Sequence, residues 1–174
     1  MPKVTVAREL NGKMLDIGGG GEGILGRVYG PAVTAIDLYE EELREAPEGF
    51  EKLVMDARCM TFANAGFDAA TAFYSFMYIP REDHARVAGE IFRVLRPGGT
   101  FLLWDAEIET ADPFLVELEI DAAGQQVHTT YGVYKKDAAQ NAAWFQAVFC
   151  AVGFVPLASC VHEGQIFQTW GKPV

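Results

Sequence analysis

Short apolar runs and amphipathic segments follow one another in a regular order along the N-terminal part of the chain. Five apolar runs are predicted to be strands: 14–17, 32–36, 53–55, 67–73 and 100–104. Helical spacing separates the first runs, in Ile24, Leu25 and Val28 and in an acidic segment at 39–46. Strands that alternate with helices predict a mostly parallel sheet covered by helices, with ligands at the carboxyl ends of the strands.

The longest helix of this region is predicted after Pro80. Its buried face carries apolar side chains and one histidine at helical spacing: His84, Val87, Ala88, Ile91, Phe92 and Leu95. Pro97, Gly98 and Gly99 are predicted to end the helix and turn the chain into the strand at 100–104. On this stripe, His84 is expected to be a core or interface histidine.

The next part of the chain changes to strict alternation of apolar and polar positions. One alternating run spans 114–121 and leads into a turn at 122–124. A second alternating run follows the turn with Val127, Thr129, Tyr131 and Val133. We expect a β-hairpin with one solvated face, inserted at about 107–136 after the fifth strand.

The C-terminal segment is predicted to contain one helix and two strands. Helical spacing runs over 137–152, and Gly153 is predicted to end the helix. Apolar runs at 154–161 and 165–170 are joined by only His162, Glu163 and Gly164. So short a connection requires an antiparallel pair.

The most specific local feature is the stretch MLDIGGGGEGILG at Met14–Gly26. An apolar strand runs through Asp16 into the consecutive glycines Gly18–Gly21, which have no Cβ atoms to block a close approach. The predicted helix that follows would present free N–H groups to an anionic ligand group. Strand, glycine turn, helix and a downstream acid, Asp37, therefore indicate a cofactor site.

Composition narrows the class of protein. Half of the 174 residues are apolar, as expected for a single domain over 1–174, and the formal net charge of −10 disfavours nucleic acid and acidic membranes as partners. Three cysteines, without a CxxC pair, argue against a disulfide framework and a zinc site and favour a cytoplasmic setting. No apolar run is long enough for export or membrane insertion.

These features resemble the class I S-adenosylmethionine-dependent methyltransferases. The resemblance covers about residues 13–105 and lies in Leu15–Gly20, Asp37, Asp56–Ala57, Phe67–Asp68 and the segment RVLRPGG at Arg93–Gly99. It implies a methyltransferase with S-adenosylmethionine as cofactor. It also implies a doubly wound, mostly parallel α/β fold, with a Rossmann-like seven-stranded sheet and an antiparallel C-terminal strand pair. RVLRPGG is interpreted as a structural turn.

The resemblance also assigns residues to the methionine and ribose ends of the cofactor. Asp16 and the backbone of Gly18 and Gly20 resemble the loop that holds the methionine end, where the acid favours the ammonium group directly or through water. Asp37 would accept hydrogen bonds from both ribose hydroxyls. Its replacement by alanine is therefore expected to weaken cofactor binding.

Other positions are assigned to the adenine end by the same resemblance. Leu38 or Tyr39 would pack on the adenine ring. Asp56 would accept a hydrogen bond from the exocyclic amine, and the Ala57 N–H would reach a ring nitrogen. Tyr74 lies where the chain of the family passes close to the cofactor.

Glu22 departs from the family pattern. The usual third glycine lies two positions after Gly20, where this chain has Glu22, and Gly23 follows one place later. The loop is then either one residue longer or presents a carboxylate where the cofactor carboxylate lies. The interpretation that we favour is that Glu22 caps the following helix.

Two alternatives to a complete methyltransferase remain open at this stage. Gly18, Gly20 and Gly23 also satisfy GxGxxG, and Asp37 lies near the distance expected for the ribose-binding acid of an NAD(P)-binding oxidoreductase. Asp16, the RVLRPGG turn and the closing antiparallel pair favour the methyltransferase. The chain is alternatively a non-catalytic cofactor-binding module of a larger assembly.

The chemistry and the acceptor are less defined than the cofactor. Methyl transfer from a sulfonium is a displacement that positioning accelerates, so no catalytic residue is assigned. The loop YSFM lacks the Asn/Asp-Pro-Pro-aromatic motif of many amino-group and base methylators, which favours a small-molecule acceptor. Candidate residues on the acceptor side are Tyr74, Tyr78, Asp105, Glu107, His128 and Tyr131.

Further expectations concern groups beyond the cofactor. Asp105 and Glu107 lack identifiable further ligands, so no metal is assigned. His128 falls on the polar phase of its strand and is expected to be solvated rather than a general base. The hairpin at 114–134 or another subunit is expected to cover the acceptor, which leaves a homodimer open.

Overall fold

A computed structural model describes residues 1–109, 113–134 and 137–174. The strands are β1 Lys3–Val6, β2 Met14–Ile17, β3 Val33–Asp37, β4 Glu51–Val54, β5 Phe67–Phe73, β6 Leu95–Ala106, β7 Phe114–Ala122, β8 Gln125–Val133, β9 Val155–His162 and β10 Gln165–Gly171. The α-helices are α1 Ile24–Tyr29, α2 Glu40–Glu45, α3 His84–Val94 and α4 Ala142–Val152. No helix in this described part is long and apolar enough to cross a membrane.

The main sheet has seven strands in the order β4-β3-β2-β5-β6-β10-β9. All neighbours from β4 to β6 are parallel, whereas β10 is antiparallel to both β6 and β9. The predicted fold class is therefore confirmed. The strand order reverses beside β2, which lies between β3 and β5, and such a switch point opens a crevice at the carboxyl ends of the strands.

A second sheet has three strands in the order β1-β7-β8. Its β7 and β8 form the predicted hairpin, with Phe114 opposite Val133. The sequence analysis missed β1, whose residues Lys3–Val6 pair in parallel with Glu119–Ala122. Four residues are too short for a clear periodic signal, and the partner strand β7 lies far along the chain.

Both faces of the main sheet are covered. On one face α3 and α4 enclose an aromatic core that includes Phe76, Phe101 and Phe149. On the other face, α1 and the three-stranded sheet pack on the main sheet through residues such as Leu25, Trp104 and Leu118. Val116, Leu118 and Ile120 of β7 are buried in this core together with α1. The hairpin therefore packs on the same face of the main sheet as the helix that follows the glycine loop.

Two predicted element boundaries are wrong. The strand predicted at 100–104 begins at Leu95, because the chain leaves α3 after Val94 and pairs at once with Phe67. The helix predicted over 137–152 begins only at Ala142. Asn141 caps it by accepting a hydrogen bond from the Trp144 N–H at 2.8 Å. The predicted insertion at about 107–136 includes residues 110–112 and 135–136, which lie outside the described residues.

Arg93 of the RVLRPGG segment ties α3 to the loop after β4. Its guanidinium forms an ion pair with Glu90 at 2.7 Å and donates to the carbonyl oxygens of Met60 and Phe62 at 2.9 and 2.7 Å. It also donates to Asn64 Oδ1 at 2.9 Å. A planar group with several N–H donors makes such a set of bonds possible, so Arg93 has a structural role. The turn predicted at 97–99 is part of β6, whose register with β5 shifts there.

We expect Arg93→Met to lower the free energy of unfolding by about 1 to 3 kcal/mol. The reason is that the carbonyl oxygens of Met60 and Phe62 lose a charged hydrogen-bond donor. Urea unfolding measures the change, and Arg44→Met, which removes an exposed i,i+4 ion pair with Glu40, is the control. Equal stability of the two variants would contradict the structural role of Arg93.

Candidate active site

The glycine loop connects β2 to α1 and packs on β3 and α2. The N–H groups of Gly18 and Gly19 donate to the Ile36 carbonyl oxygen at 2.8 and 3.1 Å, and that of Gly21 donates to the Glu42 carbonyl oxygen at 2.8 Å. Gly18 has φ +69°, and a Cβ atom built there would lie 2.6 Å from Ser75 Cβ. Only glycine therefore allows the loop to pass this close to the segment after β5.

Asp16 lies under the glycine loop at the end of β2. The residue is almost fully buried, and its Oδ1 accepts a hydrogen bond from Thr71 Oγ1 at 2.7 Å. Burial raises the pKa of Asp16 to about 7, with a further contribution from the negative charge of Asp37 and an opposing one from the Thr71 hydrogen bond. A cationic group nearby would stabilise the ionised carboxylate.

Asp37 is held at the end of β3 by two backbone donors. Its Oδ2 accepts from the Gly20 N–H at 3.3 Å and its Oδ1 from the Tyr39 N–H at 3.0 Å. These bonds orient the carboxylate and leave lone pairs on both oxygens for a ligand. The neighbouring side chains of Leu38 and Tyr39 are 49% and 65% exposed and have room to pack on a ligand ring.

Asp56 lies next to this group but is already engaged. The N–H of Met55 donates to the Asp37 carbonyl oxygen at 2.9 Å, which brings the loop after β4 beside β3. The Asp56 carboxylate forms an ion pair with Arg58 at 2.8 Å, and Arg58 bonds Asp83 at 3.1 Å. The Arg58 hydrogen bonds lower the pKa of Asp56. The neighbouring residue, Ala57, is half-buried against the core.

Two further carboxylates, Glu22 and Glu42, lie around the glycine loop. Together with Asp16 and Asp37 they form a cluster of acids that we call the acidic surround. The Glu42 Oε2 lies 3.3 Å from the position that a Gly21 Cβ would occupy. Partial burial raises the pKa of Glu42, and the negative charges of Asp37 and Glu22 add to the effect. Glu42 was not among the predicted site residues, because acids on a helix surface are usually solvated.

Residues after β5 form the other wall of the site. Tyr74 has φ +49°, which is uncommon for a residue with a side chain, and its buried hydroxyl donates to Gln165 Oε1 at 2.6 Å. The Tyr74 and Tyr131 rings stack with centroids 4.9 Å apart. Ser75 Oγ is buried beside Gly18 and has no hydrogen-bond partner among the described residues. The sequence analysis did not assign Ser75 to the site.

The favoured interpretation of Glu22 as a helix cap is wrong. Gly23, with a left-handed backbone, occupies the N-cap of α1, and no side chain caps that helix, which has only six residues. The Glu22 carboxylate instead accepts hydrogen bonds from the hairpin, through Oε1 from Thr129 Oγ1 and through Oε2 from the Tyr131 hydroxyl at 3.3 Å. The hairpin lies close enough to compete for the side chain because α1 packs against β7.

The predicted acceptor-side residues separate into two groups. Tyr78 joins Tyr74 and Tyr131, because its hydroxyl accepts from the Gly132 N–H at 3.1 Å. Burial raises the pKa of Tyr78, and the negative charges of Asp105, Glu22 and Glu42 contribute.

Asp105, Glu107 and His128 have other environments. Asp105 is fully buried and accepts from the Ala106 N–H, the Met77 N–H and Gln140 Nε2 at 2.9, 3.3 and 2.6 Å. Burial raises the pKa of Asp105 to about 7. Glu107 bonds the β9–β10 turn through its N–H. His128 is exposed opposite Glu119, on the solvated face of the hairpin.

His84 has the core position that its stripe predicted. It is 2% exposed, and its Nδ1 accepts from Trp144 Nε1 at 3.1 Å, which leaves Nε2 as the donor to the Phe76 carbonyl oxygen at 3.0 Å. His84 thus supports the loop after β5 from behind. Among residues 1–109, 113–134 and 137–174, no cluster of three or more His, Cys, Asp or Glu side chains is arranged to hold a metal ion.

Two surface clefts lie away from the glycine loop. The larger, of about 570 Å³, is lined by Arg58, Arg86 and Arg93 beside Glu90, and each arginine bonds a carboxylate or carbonyl group of the chain. The smaller, of about 240 Å³, lies between β1 and strands β6, β9 and β10. Neither cleft is lined by residues of the glycine loop. The candidate site is therefore identified from the polar groups around this loop and not from the size of a cavity.

Comparison with known proteins adds independent findings. A family model described as a methyltransferase domain matches residues 15–103. The chain is 36% identical over 109 residues to a sterol 4-C-methyltransferase from Caenorhabditis elegans, covering 56% of this chain and 32% of that one. It is 31% identical over 101 residues to a 2-methyl-6-phytyl-1,4-hydroquinone methyltransferase from Synechocystis, covering 53% and 31%.

Among solved structures, a SAM-dependent methyltransferase from Methanosarcina mazei is similar with a TM-score of 0.70 at 19% identity, over 95% of each chain. At this identity the likeness shows the fold alone. The chain spans about a third of the length of the two curated relatives named above.

Proposed function

We propose, given that this chain belongs to the class I S-adenosylmethionine-dependent methyltransferases, that it transfers a methyl group from S-adenosylmethionine to a small-molecule acceptor. The observation that carries the proposal is the set of carboxylates around the glycine loop that the hairpin does not engage, made by Asp16, Asp37 and Glu42. S-Adenosylmethionine carries a sulfonium and an ammonium group, so carboxylates stabilise it. They would repel the pyrophosphate of a dinucleotide.

The residues at the loop fit this cofactor. Ser75 Oγ is a buried polar atom beside Gly18 that has no hydrogen-bond partner among the residues that the structure describes. Burial of such a group is costly unless a ligand satisfies it. Asp37 has free lone pairs on an oriented carboxylate, as two ribose hydroxyls require. When bound, S-adenosylmethionine supplies an electrophilic methyl group on a cationic sulfur.

Each chain segment has a defined task in the proposal. Asp16 stabilises the ammonium end, and Asp37 accepts the ribose hydroxyls. Leu38 or Tyr39 packs on the adenine ring, the Ala57 N–H binds a ring nitrogen, and Tyr74 lies along the cofactor. Asp56 accepts a hydrogen bond from the adenine amine with the oxygen lone pairs that do not accept from Arg58.

The acceptor is proposed to be a small, partly apolar molecule. Tyr74, Tyr78 and Tyr131 form an aromatic wall beside the acidic surround, and a net charge of −10 disfavours nucleic acid. Relatives named for a sterol and for a hydroquinone support such an acceptor. The predictions of a cytoplasmic setting and of a homodimer rest on the sequence.

Binding followed by turnover tests the function. Calorimetry is expected to detect S-adenosylmethionine binding and no binding of NAD or NADP. Incubation with S-adenosylmethionine and small-molecule fractions from the source cell is expected to yield S-adenosylhomocysteine. Cofactor binding without any S-adenosylhomocysteine would instead favour a non-catalytic binding module.

We expect Asp37→Ala to weaken S-adenosylmethionine binding by about 1 to 3 kcal/mol, because two ribose hydroxyls lose their acceptors. Isothermal titration calorimetry gives the change directly. Glu41→Ala removes an exposed acid of α2, the helix that follows β3, and controls for the general loss of negative charge. An unchanged affinity for the Asp37 variant would mean that the ribose lies elsewhere.

A further inference from the structure

The contact between Glu22 and β8 joins the cofactor loop to the hairpin. Thr129 and Tyr131 lie on the same face of β8 and donate to the two oxygens of the Glu22 carboxylate. Burial raises the pKa of Tyr131, and the Glu22 charge contributes, so the hydroxyl stays protonated and remains the donor. We call Glu22, Thr129 and Tyr131 the latch.

The latch is continuous with the wall of the site. Tyr131 stacks on Tyr74 with an interplanar angle of 6°, and the next residue, Gly132, donates to the Tyr78 hydroxyl. Glu22 also contributes to the raised pKa of Glu42 on the other side of the loop. The latch thus connects the glycine loop, through Glu22, with the tyrosines assigned to the acceptor, through Tyr131.

We propose that Glu22 is a positioning residue whose bonds to Thr129 and Tyr131 couple S-adenosylmethionine binding to closure of the hairpin over the site. The proposal rests on the proposed function, since S-adenosylmethionine is the ligand concerned. With both oxygens engaged by β8, Glu22 turns its charge away from the ligand and holds Tyr131 in place. Without the latch, a free carboxylate in the glycine loop would face the carboxylate of the cofactor.

Coupling of this kind is reciprocal. If the closed hairpin strengthens cofactor binding, then the cofactor must stabilise the closed hairpin by the same factor. S-Adenosylmethionine is therefore expected to slow backbone amide exchange in β8, and the variants Thr129→Val and Tyr131→Phe should lose most of that added protection. Tyr131→Phe keeps the ring that stacks on Tyr74, so it removes the latch hydroxyl alone.

The test measures S-adenosylmethionine affinity and ligand-induced amide exchange for each variant. Thr129→Val and Tyr131→Phe are each expected to weaken binding about 2- to 10-fold, as loss of one hydrogen bond predicts. Thr130→Val, on the exposed face of the same strand, is the matched control and should bind like the natural protein. Glu22→Gln keeps an acceptor oxygen and should retain more affinity than Glu22→Ala.

The outcomes separate the two proposals. Binding by Thr129→Val and Tyr131→Phe as tight as, or tighter than, that of Thr130→Val overturns the latch and leaves the proposed function intact. Unchanged β8 exchange on S-adenosylmethionine addition does the same. A natural protein that binds no S-adenosylmethionine overturns both.

Discussion

Asp16→Asn is expected to make the protein more stable at pH 8 while it removes tight S-adenosylmethionine binding. Burial raises the pKa of Asp16 from 3.8 to about 7. Between these values the folded protein retains a proton that the unfolded chain releases, so the free energy of unfolding falls as the pH rises. Asparagine does not ionise, so Asp16→Asn removes this decrease in the free energy of unfolding with rising pH.

Thermal unfolding at pH 5 and pH 8 measures the stability change. At pH 8 we expect Asp16→Asn to be more stable than the natural protein by about 1 to 3 kcal/mol, and at pH 5 the difference should be small. Its affinity for S-adenosylmethionine should fall about 10- to 100-fold, because the ammonium group loses a charged partner.

Asp105→Asn is the matched comparison for this variant. Asp105 is also fully buried with a pKa raised to about 7, but it accepts three N–H donors from Ala106, Met77 and Gln140. An asparagine has one acceptor oxygen and brings donors of its own, so Asp105→Asn should lose stability at both pH values. A loss of stability in Asp16→Asn at pH 8 would show that its carboxylate is not destabilised by burial.

Gly18→Ala is expected to disrupt the glycine loop and to abolish measurable cofactor binding. The residue has φ +69°, which alone disfavours a side chain by about 1 to 2 kcal/mol. In addition, the new Cβ would lie 2.6 Å from Ser75 Cβ, so one of the two segments must move. Circular dichroism melting and calorimetry with S-adenosylmethionine measure the two effects.

Two further variants separate backbone strain from the steric clash. Gly164→Ala has a similar φ of +73° with nothing within 4 Å of the new Cβ, so it should show the strain alone and bind the cofactor normally. Ser75→Gly added to Gly18→Ala removes the clashing Cβ and should restore part of the melting temperature. Equal destabilisation by Gly18→Ala and Gly164→Ala would contradict the close packing at Ser75.

The sequence predicted the main sheet because its elements are locally periodic. The strand at 67–73 was predicted with the bounds that the structure has, and Asp16 and Asp37 were predicted at strand ends where parallel strands converge. Parallel order and short connections then restrict the topology. Asp16 and Asp37 could therefore be placed at this edge of the sheet from local sequence patterns alone.

Features that depend on distant partners were missed or misassigned. Lys3–Val6 becomes a strand only because β7 is available beside it. Glu22 was expected to cap α1 but binds Thr129 and Tyr131, which lie far along the chain. A local contact was also missed: Asp56 forms an ion pair with Arg58 two positions along the chain, and its assignment to the adenine amine stays a prediction.

The sequence by itself determined the order of elements in the main sheet, the glycine loop and the acids at the ends of β2 and β3. Only the tertiary structure decided which groups are free for a ligand and which are engaged within the chain. Within the described part of the chain, Ser75 Oγ has no hydrogen-bond partner, whereas the carboxylates of Glu22 and Asp105 accept hydrogen bonds from the hairpin and from Gln140. Periodicity reports which side of a segment is buried, but a hydrogen bond depends on which segments meet in the fold.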